Sequence, residues 1–183
     1  GGEVVRSEGE DRRMLATVRT EPVTVERVRA ILDEVKDPEV PVVSVLELGI
    51  VRSVSVDGTR VAIAITPTYS GCPAMREIEQ DIRAALAVEG ISDVTLETVY
   101  APAWTTDWIG ADAREKLRAY GIAPPGRAEQ VGLVTLARRR ADVACPRCGS
   151  HDTALHSEFG STACKAIHVC NACREPFDEF KAF

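Results

Sequence analysis

Long hydrophobic runs are missing from this 183-residue chain. No stretch approaches the roughly 20 apolar residues that a helix needs to cross a bilayer. No secretory signal is legible at the start either, so the expected setting is the reducing cytoplasm. Clustered positive charge is scarce as well. The net charge is −6, and Arg138-Arg139-Arg140 is the only basic run, read as part of a solvated linker. Neither nucleic acid nor a membrane surface is therefore an expected partner. Histidine is rarer still: there are three, at positions 151, 156 and 168. The first 150 residues thus hold no imidazole that could serve as the base of a thiol nucleophile. A phosphate-cradling glycine loop is also lacking, and no segment repeats another.

What is present suits one ordinary domain followed by a small module. Residues 1–22 open with Gly1-Gly2 and run through mixed charges without an apolar stripe, which predicts a disordered tail. Residues 23–122 read as an α/β (α+β) domain. Val25, Val28, Ile31, Leu32 and Val35 recur at helical spacing behind Thr24, a helix-capping residue, and Asp37-Pro38 ends that helix. Val51 to Val56 and Val61 to Ile65 alternate as strands around Asp57-Gly58, a hairpin signal. A second helix carries Met75, Ile78, Ile82 and Leu86 on one face and stops at Gly90. A strand over Val94 to Tyr100, a Trp-bearing loop and a short helix over Ala111 to Tyr120 follow. This order predicts a small mixed sheet with helices on one face. Residues 123–142 form a linker with one strand-like run at 131–136, and residues 143–183 form the module.

The module carries the strongest motif: Cys145 and Cys148 make one CxxC pair, Cys170 and Cys173 another. Each CxxC turn sets two thiolates on one side of a tight knuckle, and two facing knuckles complete a tetrahedron around a metal ion. The expectation is a zinc ribbon with one zinc per chain, whose binding supplies the folding energy that so short a segment lacks. An iron–sulfur cluster would use the same four thiolates. Cys164, between the pairs, is an extra thiol: an alternative ligand or a buried small hydrophobe. His151, His156 and His168 are redundant as ligands and read as surface or packing residues.

Cys72 stands alone in Thr66-Pro67-Thr68-Tyr69-Ser70-Gly71-Cys72-Pro73, between a strand and the second helix. With Pro73 in the first helical turn, Cys72 is the expected N-cap, where the helix dipole would favour a thiolate. Thr68 and Ser70 place hydroxyls nearby. Asp37 and Glu39 flank a proline and either ligate a metal or hydrogen-bond near Cys72, or cap helix ends and face solvent. Trp104 and Trp108 either form a docking surface or anchor the short helix that follows.

Three stretches carry a family resemblance: Asp37-Pro38-Glu39-Val40-Pro41, Val45-Leu46-Glu47-Leu48-Gly49-Ile50-Val51, and the segment from Thr66 to Pro73. They resemble the metal–sulfur-cluster assembly factor family. Trp104-Thr105-Thr106-Asp107-Trp108-Ile109 and Phe159-Gly160-Ser161-Thr162-Ala163-Cys164-Lys165-Ala166 narrow the resemblance to its D-subunit branch, found with bacterial phenylacetyl-CoA epoxidases. The resemblance runs from about residue 24 to the C-terminus. It implies that Cys72 handles iron–sulfur clusters, with a cluster bound transiently. It also implies a non-enzymatic accessory role in maturing the di-iron oxygenase or the [2Fe–2S] reductase of phenylacetate breakdown. Those oxygenase and reductase subunits are the implied partners. The alternative is a structural or docking subunit of the multicomponent oxygenase; an independent thiol enzyme is disfavoured by the missing base. Whether copies of the chain pair as a homo-oligomer is left open.

Overall fold

The computed structural model describes residues 22–69, 71–126 and 143–182. Residues 1–21 of the expected tail, the expected linker from 127 onward with its run at 131–136, and Ser70 fall outside them. Helix α1 (Val25–Glu34) starts where the Thr24 hydroxyl accepts the backbone N–H of Arg27 at 3.2 Å. It buries Val28 and Leu32 and stops before the Asp37-Pro38 turn. Strands β1 (Val51–Asp57) and β2 (Arg60–Ile65) form an antiparallel hairpin, with Gly58 at φ +60° in the turn. Helix α2 (Met75–Val88) carries the chain across to β3 (Val94–Thr98), which pairs with β2 in parallel. A parallel pair needs such a crossover, whereas the two-residue turn suffices between β1 and β2.

The result is a mixed sheet in the order β1-β2-β3. Val61, Ile63 and Ile65 point into the core with Ile78, Ile82 and Leu86 of α2 and the buried face of α1. The connection from 36 to 50 is well fixed although it is irregular. Ser44 Oγ donates to Asp33 Oδ1 at 2.7 Å, the Glu47 carboxylate accepts the Ser44 N–H, and the Ser44 hydroxyl accepts the Glu47 N–H. That reciprocal pair is a capping box on a turn.

A short 3₁₀ turn at Thr106–Trp108 leads into α3 (Ala111–Tyr120), closed by Gly121 in the left-handed region. Trp104 and Trp108 both serve anchoring. Trp104 is buried, donating Nε1–H to the Leu48 carbonyl at 2.8 Å. Trp108 rests on Gly49, where a Cβ would meet it at 3.0 Å, and the Arg52 guanidinium stacks 3.5 Å from its ring centre. Gly49 also has φ +70°, so two independent constraints demand glycine there.

The C-terminal sheet runs β4-β7-β6-β5. Its strands β5 (Thr153–Ser157), β6 (Lys165–Cys170) and β7 (Pro176–Phe180) form an antiparallel meander. The edge strand β4 (Ile122–Ala123) comes from the end of the first domain and pairs in parallel with β7. Ala123, within the expected linker, is buried with Val143, Cys145, Cys170 and Phe177 in the ribbon's own core. Conversely, Cys164 and Phe180 of the ribbon are buried in the core of the α/β domain, with Phe180 6.2 Å from the Trp104 ring. The two modules therefore interlock through exchanged elements. Among the described residues no helix is long and apolar enough to cross a membrane.

Candidate functional site

The first knuckle turns because Gly149 adopts φ +74° and donates its N–H to the Cys145 carbonyl at 2.9 Å. The second turns through Arg174, a non-glycine residue at φ +67°, whose N–H donates to the Cys170 carbonyl at 2.9 Å. Together they hold the sulfurs of Cys145, Cys148, Cys170 and Cys173 within 4.8 Å of one another. Across the knuckles, Cys145 and Cys173 lie 3.8 Å apart and Cys148 and Cys170 lie 3.5 Å apart. A tetrahedral zinc with Zn–S distances of about 2.3 Å needs sulfurs about 3.8 Å apart, so the four thiols fit that ion. The Cys173 backbone N–H donates to Cys170 Sγ, a bond that favours the thiolate, the ligating form. His168 is not a ligand: Nε2 lies 2.7 Å from Glu179 Oε2 and the ring stacks on Phe177. His151 and His156 are exposed, and neither belongs to the four-thiol group.

Cys72 is placed differently from the expectation. Helix α2 begins at Met75 with Ala74 as its N-cap, so Cys72 precedes the cap and Pro73 lies outside the helix. The Cys72 N–H donates to the Tyr69 carbonyl at 3.2 Å, making a turn of its own. Burial pushes the Cys72 thiol up, and the Ala74 backbone N–H offsets this only in part. Cys72 lies ahead of the N-cap position where the helix dipole favours a thiolate, and desolvation is the largest effect on it. The free thiol is therefore held protonated rather than pre-ionised.

Cys72 faces a small cavity of about 10 Å³ built from three parts of the chain. Thr68 and Cys72, from the connection between β2 and α2, line it with Met75 at the start of α2; Asp37, Glu39 and Val40 line it from the first irregular loop; Cys164 and Phe180 line it from the ribbon. Asp37 is spent on its own turn, its Oδ1 accepting the N–H groups of Glu39 and Val40 at 2.9 and 2.8 Å. Burial raises its pKa against those two bonds. Glu39 is freed to aim at Cys164, whose sulfur lies 3.5 Å from Glu39 Oε2 and 3.0 Å from Thr162 Oγ1. Burial pushes the Cys164 thiol up to about 11. Lys165, also buried, donates from Nζ to the Glu39 carbonyl at 3.1 Å.

Cys72, Asp37, Glu39 and Thr68 thus meet at one place, Ser70 lies outside the described residues, and Cys164 joins them instead of the ribbon's thiols. Two neighbours escaped the motif reading. Tyr69, whose own pKa is raised to about 12 by burial, shares the turn of Cys72, and Lys165 braces Glu39. Lys165 directly follows Cys164 in sequence and Tyr69 lies three residues before Cys72, so proximity to a cysteine was the available signal.

The family profile described as "Iron-sulfur cluster assembly protein" matches residues 25–98, and that described as "PaaD zinc beta ribbon domain" matches residues 130–181. The Escherichia coli protein named as the D-subunit of a "Putative 1,2-phenylacetyl-CoA epoxidase" is 48% identical over 167 residues, covering 91% of this chain and 97% of that protein. A Porphyromonas gingivalis protein named "Fe-S protein maturation auxiliary factor" is 34% identical over 51% of this chain and 90% of its own length. A crystal structure of a domain of unknown function from Bacillus anthracis covers 50% of this chain and 89% of that one, at 28% identity and a TM-score of 0.47. Two domain profiles in chain order and a near end-to-end likeness to the Escherichia coli protein show that this chain belongs to the phenylacetyl-CoA epoxidase D-subunit (PaaD) family.

Proposed function

We propose that this protein is an accessory factor, not a catalyst, that handles iron or an iron–sulfur cluster through Cys72 while the reductase or oxygenase of a phenylacetyl-CoA epoxidase system matures. The observation that carries this reading is the placement of Cys72 in a cavity lined by a second thiol and a carboxylate. Thiolates and carboxylates are iron ligands, whereas the cavity holds no imidazole to deprotonate a nucleophile. The likeness to proteins named as Fe-S maturation factors supports it over the cluster-assembly region. The ribbon, with zinc held by Cys145, Cys148, Cys170 and Cys173, is the structural module that docks this domain and offers a surface to a partner protein.

The likeness to an epoxidase component favours a second reading, in which the chain is a non-catalytic docking subunit that never touches a cluster. One experiment separates the two. The epoxidase reductase is expressed alone, with this protein, and with its Cys72→Ala variant, and its iron and acid-labile sulfide are measured. Cluster loading that rises with the wild type and falls back with the variant supports maturation. Equal loading in all three rules it out in favour of docking.

A further inference from the structure

We propose that Lys165 is a positioning residue: it sets the register at which the ribbon seats on the α/β domain, and thereby the surroundings of Cys72. The seat adds a control to the reading of Cys72 given above and rests on it for its purpose, but its test measures no metal at that thiol.

The seam between the modules is mostly apolar. Cys164 and Phe180 enter the core of the α/β domain, and Phe180 meets Trp104 with ring centres 6.2 Å apart. Apolar contact is non-directional, so by itself it holds two modules together without fixing how one slides on the other. The β4–β7 ladder is directional, but it pairs only Ile122 with Asp178 and Ala123 with Glu179. Lys165 supplies a second directional contact. It is 5% exposed, and its Nζ donates to the Glu39 carbonyl of the other module at 3.1 Å. In the β6–β7 pair it lies opposite Phe180, so the polar and apolar anchors stand side by side. The turn before it is shaped to carry it. The Gly160 N–H donates to the Lys165 carbonyl at 2.9 Å, and a Cβ on Gly160 would meet the Lys165 Cβ at 3.1 Å.

Energetics mark this lysine as a register device rather than a stabiliser. An ammonium offers three donors, yet among the described residues Lys165 has one hydrogen-bond acceptor and no ion pair. Its burial gives up more solvation than that bond returns. An apolar chain of similar size would hold the ribbon as tightly, but it would not select the Glu39 carbonyl. Glu39 and Val40 line the cavity of Cys72 from the loop, while Cys164 and Phe180 line it from the ribbon. The register between those two walls is what surrounds the thiol.

The test compares the zinc-loaded full chain with Lys165→Met, which keeps an unbranched side chain of similar size and removes the ammonium. Denaturant unfolding, amide exchange over residues 37–40 and the rate of Cys72 alkylation by iodoacetamide are measured, the last two located by peptide mass. The Glu39 and Val40 amides are the reporters, since both donate to Asp37 Oδ1. The expected variant keeps its zinc and is as stable as the wild type or more so. Exchange at those two amides should nevertheless rise at least about tenfold, and Cys72 should alkylate severalfold faster. If either exchange or alkylation is unchanged in the folded variant, the proposal fails. A loss of stability also overturns it, because Lys165 is then an ordinary structural contact. If Lys165→Met loses its zinc, Lys165→Gln is judged by the same criteria; zinc loss from both overturns the proposal, since Lys165 then serves the ribbon itself. None of these outcomes bears on the reading of Cys72, which the reductase experiment decides.

Discussion

The ribbon cluster gathers four thiols from two knuckles that each close within a few residues, whereas the cavity gathers Cys72, Glu39 and Cys164 from three segments far apart in sequence. That difference sets what each can do. Local turns bring the ribbon sulfurs within 4.8 Å of one another, so a metal there is enclosed by backbone geometry. Such a closed site is structural: the ion is part of the fold and leaves only when the fold does. The cavity's groups meet through tertiary packing, and its thiols are held protonated by burial. The first arrangement depends on turns, the second on how firmly the two modules are docked.

Removing the ribbon's zinc should break the comparison most completely. Chelation, or Cys170→Ser, should unfold the C-terminal sheet, since structural zinc supplies on the order of 10 kcal/mol in small zinc modules. Circular dichroism melts with and without chelator, alongside zinc analysis, check it. The cavity should be lost in the same step, because Cys164 and Phe180 leave with the ribbon.

Undocking is the next largest effect. Phe180 is 2% exposed and packs against Trp104, so Phe180→Ala should cost about 3–5 kcal/mol in denaturant unfolding. Zinc should remain near one equivalent while the reductase iron loading promoted by this protein falls. Unchanged loading would mean that docking does not control the role proposed for Cys72.

The pH response sharpens the contrast further. Cys72 and Cys164 have pKa values raised by burial, Cys164 to about 11, so both stay protonated through the neutral range. In the proposed role an iron ion bound through Cys72 displaces that thiol's proton, so affinity should climb about tenfold per pH unit below the thiol pKa, as read by anaerobic cobalt titration of the zinc-loaded chain. Cys72→Ser should flatten that slope. For folding the sign is the reverse: a thiol whose pKa is raised in the fold contributes stability at low pH that is lost as pH rises through the folded value.

The smallest effect serves as the reference. Thr24→Ala removes the α1 cap and should cost about 1 kcal/mol in denaturant unfolding while leaving ribbon zinc and the promoted iron loading of the reductase unchanged. A fall in loading with that variant would show that the role of Cys72 senses general stability rather than docking.

The metal ribbon was legible from spacing because a CxxC knuckle is a local object, fixed by its turn. The helices and strands were legible likewise: Met75, Ile78, Ile82 and Leu86 mark a face that is largely buried, and a hairpin does turn after Asp57, through Gly58 and Thr59. The helix start at Cys72 was misplaced because Pro73 suits a turn ahead of the helix as well as its first residue. Trp104 and Trp108 had two readings that only their contacts with Leu48, Gly49 and Phe180 resolved.

Short-range order, then, came from the sequence by itself: the periodicities, the caps, the hairpin and the two thiol knuckles that define a metal ribbon. Tertiary structure decided where Cys164 belongs. Its neighbours in sequence are ribbon residues, but its neighbours in space are Glu39 and the cavity of Cys72. No local rule could report this, because it depends on β4 joining the ribbon's sheet and Phe180 entering the other module's core. Spacing shows which thiols share a turn; only long-range packing shows which share a cavity.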